Sequence, residues 1–148
     1  MDPVRNPPDG TPRIVPMLTY ADAPAAIEFL CRAFGFEQRF RLDMPDGCVG
    51  HAELGLRDGV VALASEFEGF GSSPLRLAGH HAQLLVYVDD VDAHHARARE
   101  QGATIAAEPA DQFYGDRNYR ALDPEGHRWI FATHVRDVAP EEMVPPPA

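Results

Sequence analysis

Apolar positions along this chain change their period at regular intervals, and the changes mark out a series of short elements. Arg13 to Tyr20 is rich in β-formers and predicts a strand. Asp22 follows as a helix cap, with Pro24 in the first turn. Ile27, Leu30, Cys31 and Phe34 then recur at i, i+3, i+4 and i+7, which is one helical face. Gly35 stands where a left-handed residue ends the helix. Three strands come next: Phe36 to Met44, Val49 to Leu56 and Val60 to Ser65. The turn formers Pro45-Asp46-Gly47 and Arg57-Asp58-Gly59 separate them.

The same order then returns. Gln83 to Val88 reads as a strand, Asp89-Asp90 cap a helix from about Val91 to Gln101, and Gly102 closes it. Ala103 to Ala107 is a strand expected to end near Pro109. Arg117 to Leu122 and His127 to His134 flank a turn at Asp123-Pro124-Glu125-Gly126. Both halves therefore read βαβββ, and repetition of a whole element order points to two similar modules. The expected organisation is a domain over 13–137, with modules at about 13–66 and 83–136. A linker at 67–82 joins them. Disordered segments are expected at 1–12 and 138–148, where proline and polar residues offer too little apolar surface to offset ordering.

Charge narrows the partners. A formal net charge of −10 opposes nucleic acid, which calls for a basic face, and suits a cationic small ligand or simple solubility. No apolar run approaches the roughly 20 residues that span a bilayer, and the N-terminus has no apolar signal core. No membrane association and a cytoplasmic location are the expectation. Two cysteines, Cys31 and Cys48, form no metal-binding spacing, and Cys31 lies on the apolar helix stripe as a small core residue.

Ala25-Ala26-Ile27-Glu28-Phe29-Leu30 with Gly35, and Asp123-Pro124-Glu125-Gly126-His127-Arg128-Trp129 in the last hairpin, give the chain a family likeness. On these residues, within a βαβββ duplicate, it resembles the vicinal oxygen chelate superfamily. That superfamily contains glyoxalase I, extradiol dioxygenases, fosfomycin-resistance enzymes and bleomycin-resistance proteins. The resemblance covers about residues 13–136. It implies an α+β fold, two tandem βαβββ modules forming a curved mixed sheet with a cleft and helices outside, and a homodimer. It also implies four places for metal ligands in the metal-dependent members. These fall here on Val15 or Pro16, near Leu63, on Gln83 and on Ile130. Only Gln83 carries a donor, and an amide oxygen is a weak ligand for a transition metal. A catalytic divalent ion wants about three protein ligands. No cofactor is therefore expected, and a divalent Zn, Ni, Mn or Fe at a shifted site is the alternative. His51 and Glu53 point the same way on one strand, whereas His80-His81 and His94-His95 read as loop and surface histidines.

Alternation places Gln83, Leu85 and Tyr87 on one strand face, and Arg128, Ile130 and Ala132 on another. With a four-residue turn at Asp123–Gly126, Arg117, Tyr119 and Ala121 join that face. Val15, Met17 and Thr19, with Val61 and Leu63, would complete the other module. Trp129 and Phe131 would face the helices. The loops Phe67 to Phe70 and Asp111 to Asp116, the latter with Phe113 and Tyr114, are placed to close over a cleft. The ligand-binding set expected is thus Met17, Leu63, Phe70, Gln83, Tyr87, Phe113, Tyr114, Arg117, Tyr119, Arg128 and Ile130.

The function expected is metal-free binding of a small organic molecule, an antibiotic or a metabolite, in an inter-module or dimer-interface cleft. One alternative is a metal-dependent lyase, isomerase or dioxygenase of the same superfamily. The other is a structural or regulatory module with a filled cavity.

Overall fold

The computed structural model describes residues 3–147. Residues 1, 2 and 148, the outermost parts of the two segments expected to be disordered, lie outside the described residues. The chain divides between Ala78 and Gly79 into two compact units, each of which has its own sheet.

In the first unit β1 (Met17–Tyr20) leads into α1 (Ala23–Phe34), followed by β2 (Glu37–Asp43), β3 (Val49–Leu56) and β4 (Gly59–Ser65). Helix α1 starts where Asp22 accepts a hydrogen bond from the Ala25 amide at 3.1 Å. It stops at Gly35, whose φ of 83° is open to a residue without Cβ. The sheet order is β1-β4-β3-β2, with β1 parallel to β4 and the other pairs antiparallel. One face of this sheet meets α1. Leu18, Tyr20, Leu63, Ala52 and Leu54 share that face by register and bury Leu30 and Phe34 of the helix. Full burial of side chains this large contributes about 1.5–3 kcal/mol each. Cys31 is half-buried at the margin of the stripe rather than in the core, and burial raises its thiol pKa.

The second unit repeats the plan. Its elements are β5 (Gln83–Tyr87), α2 (Val91–Glu100), β6 (Thr104–Asp111), β7 (Asp116–Leu122) and β8 (Arg128–His134), in the order β5-β8-β7-β6. The α+β class and the two βαβββ modules stand as expected; the strands form two four-stranded mixed sheets. Strand β6 runs on past Pro109 instead of ending there. It is an edge strand, and its pairing with β7 shifts register between Ala107 and Ala110, so the missing proline N–H breaks no ladder.

The last hairpin departs from expectation by one residue, with consequences for every side chain beyond it. Leu122 pairs with Arg128, so the connection is a five-residue loop, 123–127, not a four-residue turn. Asp123 organises it. Its buried carboxylate accepts from the Glu125 and His127 amides at 3.1 Å each and from Trp129 Nε1 at 3.2 Å. Tyr119 therefore pairs with Phe131 and Ala121 with Trp129, all on the α2 face.

Candidate functional site

The face of the second sheet turned away from α2 carries the candidate site. Across the ladder Gln83 pairs with Arg128, Leu85 with Ile130, and Tyr87 with Ala132. From β7 the same rows receive Leu122, Arg120 and Asn118, and Asp116 stands beside His134. Leu85 and Tyr87 are 54% and 55% exposed, an unusual amount for large apolar groups on a sheet.

Tyr87 is nonetheless fixed. Its hydroxyl donates to Asp116 Oδ2 at 2.8 Å, and Asp116 is only 5% exposed. This bond to a carboxylate raises the phenol pKa and keeps Tyr87 neutral. The other oxygen of Asp116 lies 2.8 Å from His134 Nδ1, and Asp137 Oδ1 lies 2.8 Å from His134 Nε2. The Asp137 and Asp116 carboxylates together hold the imidazolium above its usual pKa. The residues after His134 are tied back as well: the amides of Val135 and Arg136 donate to the Gly115 carbonyl at 2.9 and 3.1 Å. Beside this chain of bonds, Asn118 Nδ2 donates to the Tyr114 hydroxyl at 2.9 Å.

A raised histidine pKa fixes the sign of a pH effect. Protonated His134 stabilises its carboxylate contacts fully below the unfolded value near 6.5. That contribution fades as pH rises through the higher folded value. An NMR titration of the His134 ring should place its midpoint above the unfolded value, and a midpoint at or below it contradicts the double clamp.

The residues expected at the site fall into two groups. Gln83, Tyr87, Arg128 and Ile130 share the face just described. Arg117 and Tyr119 do not, because the five-residue loop turns them toward α2. Arg117 donates to Asp92 of α2 at 3.0 Å and to Asp111 at 3.2 Å. Tyr119 is fully buried, its hydroxyl lies 2.6 Å from His94 Nδ1, and burial pushes its pKa up strongly. His94 and His95 are accordingly half-buried against the sheet rather than surface groups. The His94 ring centroid is 4.1 Å from that of Phe131, and His95 meets Tyr119 edge-on. Trp129 and Phe131 face α2 as expected.

In the first unit Met17 is 73% exposed on the face away from α1, with Thr19, Ala62, Ala64 and Glu53 in its rows. Leu63, and Val61 with it, lie on the opposite, α1 face, because β1 pairs in parallel with Ala62 opposite Met17. Phe70 is 88% exposed in a small loop closed by a bridge between Phe67 and Gly71. Phe113 and Tyr114 sit in a tight turn rather than a long flap. There the Gln112 amide donates to the Asp116 carbonyl at 2.7 Å.

Sequence reasoning missed Asp116, Asn118, Arg120 and His134. His134 was within reach, two residues beyond Ala132 on the same alternating face. The other three depend on the loop length.

Donor chemistry at the places that hold metal in metal-dependent members does not fit an ion. Val15, Pro16, Leu63 and Ile130 have no donor side chain, Gln83 offers only an amide oxygen, and Met17 and Ala62, which the register pairs, bring no carboxylate or imidazole. His51 Nε2 lies 3.2 Å from Glu53 Oε1, and among the described residues no third His, Cys, Asp or Glu joins them in a group that could hold an ion.

A model of the Glyoxalase/Bleomycin resistance protein/Dioxygenase superfamily matches residues 13–131. Uncharacterized protein Mb0911c of Mycobacterium bovis is 35% identical over 136 residues, spanning 89% of this chain and 90% of the relative. Among solved structures, TioX from Micromonospora sp. ML1 is 35% identical with a TM-score of 0.69, covering 84% of this chain and 99% of TioX. The fosfomycin resistance protein FosX from Listeria monocytogenes is 12% identical with a TM-score of 0.59, covering 84% and 91%, a likeness of fold alone.

Proposed function

Since the chain belongs to the glyoxalase/bleomycin resistance protein/dioxygenase superfamily, we propose that it is a metal-free binding protein for a small organic molecule. The molecule is seated on the face of the second sheet turned away from α2. The observation that carries this reading is the anchoring of Tyr87. A half-exposed aromatic ring with its hydroxyl held by a buried carboxylate is a rigid platform that loses little entropy when a guest stacks on it. Leu85 and Ile130 extend the apolar floor, and Gln83 and Arg128 supply polar handles. The net charge of −10 favours a planar cationic guest, such as a basic antibiotic or metabolite. The protein works as a homodimer in the cytoplasm, without a divalent metal. Among the described residues no helix is long and apolar enough to cross a membrane.

Elemental analysis of untagged protein tests the metal-free part. Zinc, nickel, manganese and iron are expected far below one per chain, and a stoichiometric, tightly held ion overturns the reading. In the same preparation, planar cationic antibiotics are expected to raise the melting temperature of the wild type and not of Tyr87→Ala. A metal-free enzyme is the second reading, favoured by the Tyr87–Asp116–His134 chain of bonds, which is able to hold and pass a proton. Turnover that survives chelators and is lost in His134→Ala would replace binding with catalysis.

A further inference from the structure

The first unit has a feature of its own on the face of its sheet away from α1, at the hairpin end. A cavity of about 640 Å³ opens there, lined by Asp9, Arg39, Glu53, Arg57, Asp58 and Val60 among others. That volume is in the range of small-molecule sites. Val60 is only 7% exposed although it pairs with Gly55 on the side without a helix.

Arg39 is the group that distinguishes this cavity. It is the extra residue where the β2–β3 register shifts between Gln38 and Phe40, so the bulge re-aims its side chain across the sheet. The guanidinium lies over Gly55, where any Cβ would overlap it, so this glycine is the seat that lets Arg39 lie flat. Its Nη2 donates to the Arg57 carbonyl at 2.7 Å, which fixes the fork. Arg5, Arg32, Arg41, Arg76, Arg99 and Arg117 each sit in an ion pair. The partner of Arg39 is instead a neutral carbonyl, and most of its donors remain for a guest. A planar, pre-set guanidinium matches a carboxylate at two points.

Three nearby carboxylates select further. Asp58, with the oxygens of Asp9 and Glu53 that Arg5 and His51 leave open, disfavours a dianion such as phosphate and offers acceptors for a hydroxyl or amine beside the guest's single negative charge. We propose that this cavity binds small α-hydroxy or α-amino monocarboxylates, with Arg39 holding the carboxylate and the acidic wall receiving the neighbouring donor group.

The test follows the Arg39 Nε–H and Gly55 amide signals of the full chain by ¹⁵N NMR, with mandelate, phenylacetate, mandelamide and inorganic phosphate as probes. Mandelate is expected to shift both signals saturably. Mandelamide lacks the charge and phenylacetate lacks the α-donor, and each is expected to bind about tenfold or more weakly. Arg39→Ala should lose the mandelate response at Gly55, and Arg39→Lys should keep part of it. Gly55→Ala, which unseats Arg39, should weaken binding while the spectrum stays dispersed. If Gly55→Ala fails to fold, the Arg39 variants decide alone. Three results overturn the proposal: no saturable shift with mandelate, phosphate binding as tightly as mandelate, or an undiminished response in Arg39→Ala.

Discussion

Asp123→Ala should lower the unfolding free energy by about 3 kcal/mol, read by urea denaturation. The carboxylate is 4% exposed and accepts from two loop amides and from the Trp129 indole, so removing it strands two buried donors and one half-buried donor at once. Trp129 reports the change directly, because it is the single tryptophan and is fully buried. Asp123→Asn keeps the size and one acceptor oxygen, and should recover part of the loss. A change below about 1 kcal/mol for Asp123→Ala would mean that the loop holds its five-residue form without the carboxylate.

Asp116→Ala should cost less in stability, about 2 kcal/mol, and more at the site. Water replaces the lost bonds of the half-exposed Tyr87 and His134, but neither ring is then held in place. The variant separates anchoring from charge by two readings. The His134 pKa should fall toward the value that Asp137 alone sustains, and guests that stack on Tyr87 should bind more weakly even though that ring is intact. Unchanged guest affinity in Asp116→Ala would mean that anchoring of Tyr87 does not contribute to binding.

These two aspartates also mark the boundary of what the sequence reveals. Element order, both helices and their caps were legible, because Asp22, Gly35, Asp90 and Gly102 act within a turn of the residues they cap. That Gln83, Leu85 and Tyr87 share one face of their strand, and Arg128, Ile130 and Ala132 one face of theirs, was legible too, since alternation within each strand is local. Facing across strands was not. The placement of Arg117 and Tyr119 hinged on one residue of loop length, decided by where an aspartate finds its three donors. Leu63 turned on the parallel register of β1 against β4, which couples residues 17 and 62 with no local signal between them. Asp116 and His134 meet across two strands, so neither residue announces the other in sequence.

The parallel pairs have a consequence in time as well as in space. Each sheet seats its first strand against its last, Met17 opposite Ala62 and Gln83 opposite Arg128, so neither can close until its whole βαβββ length has been made. Closing such a pair joins ends more than forty residues apart before any reward from the ladder, the kind of long-range step that slows folding. The first half meets that condition as soon as Ser65 is clear of the ribosome, whereas the second must wait for His134. During that interval the chain is a finished sheet trailing an unfinished copy of its own pattern.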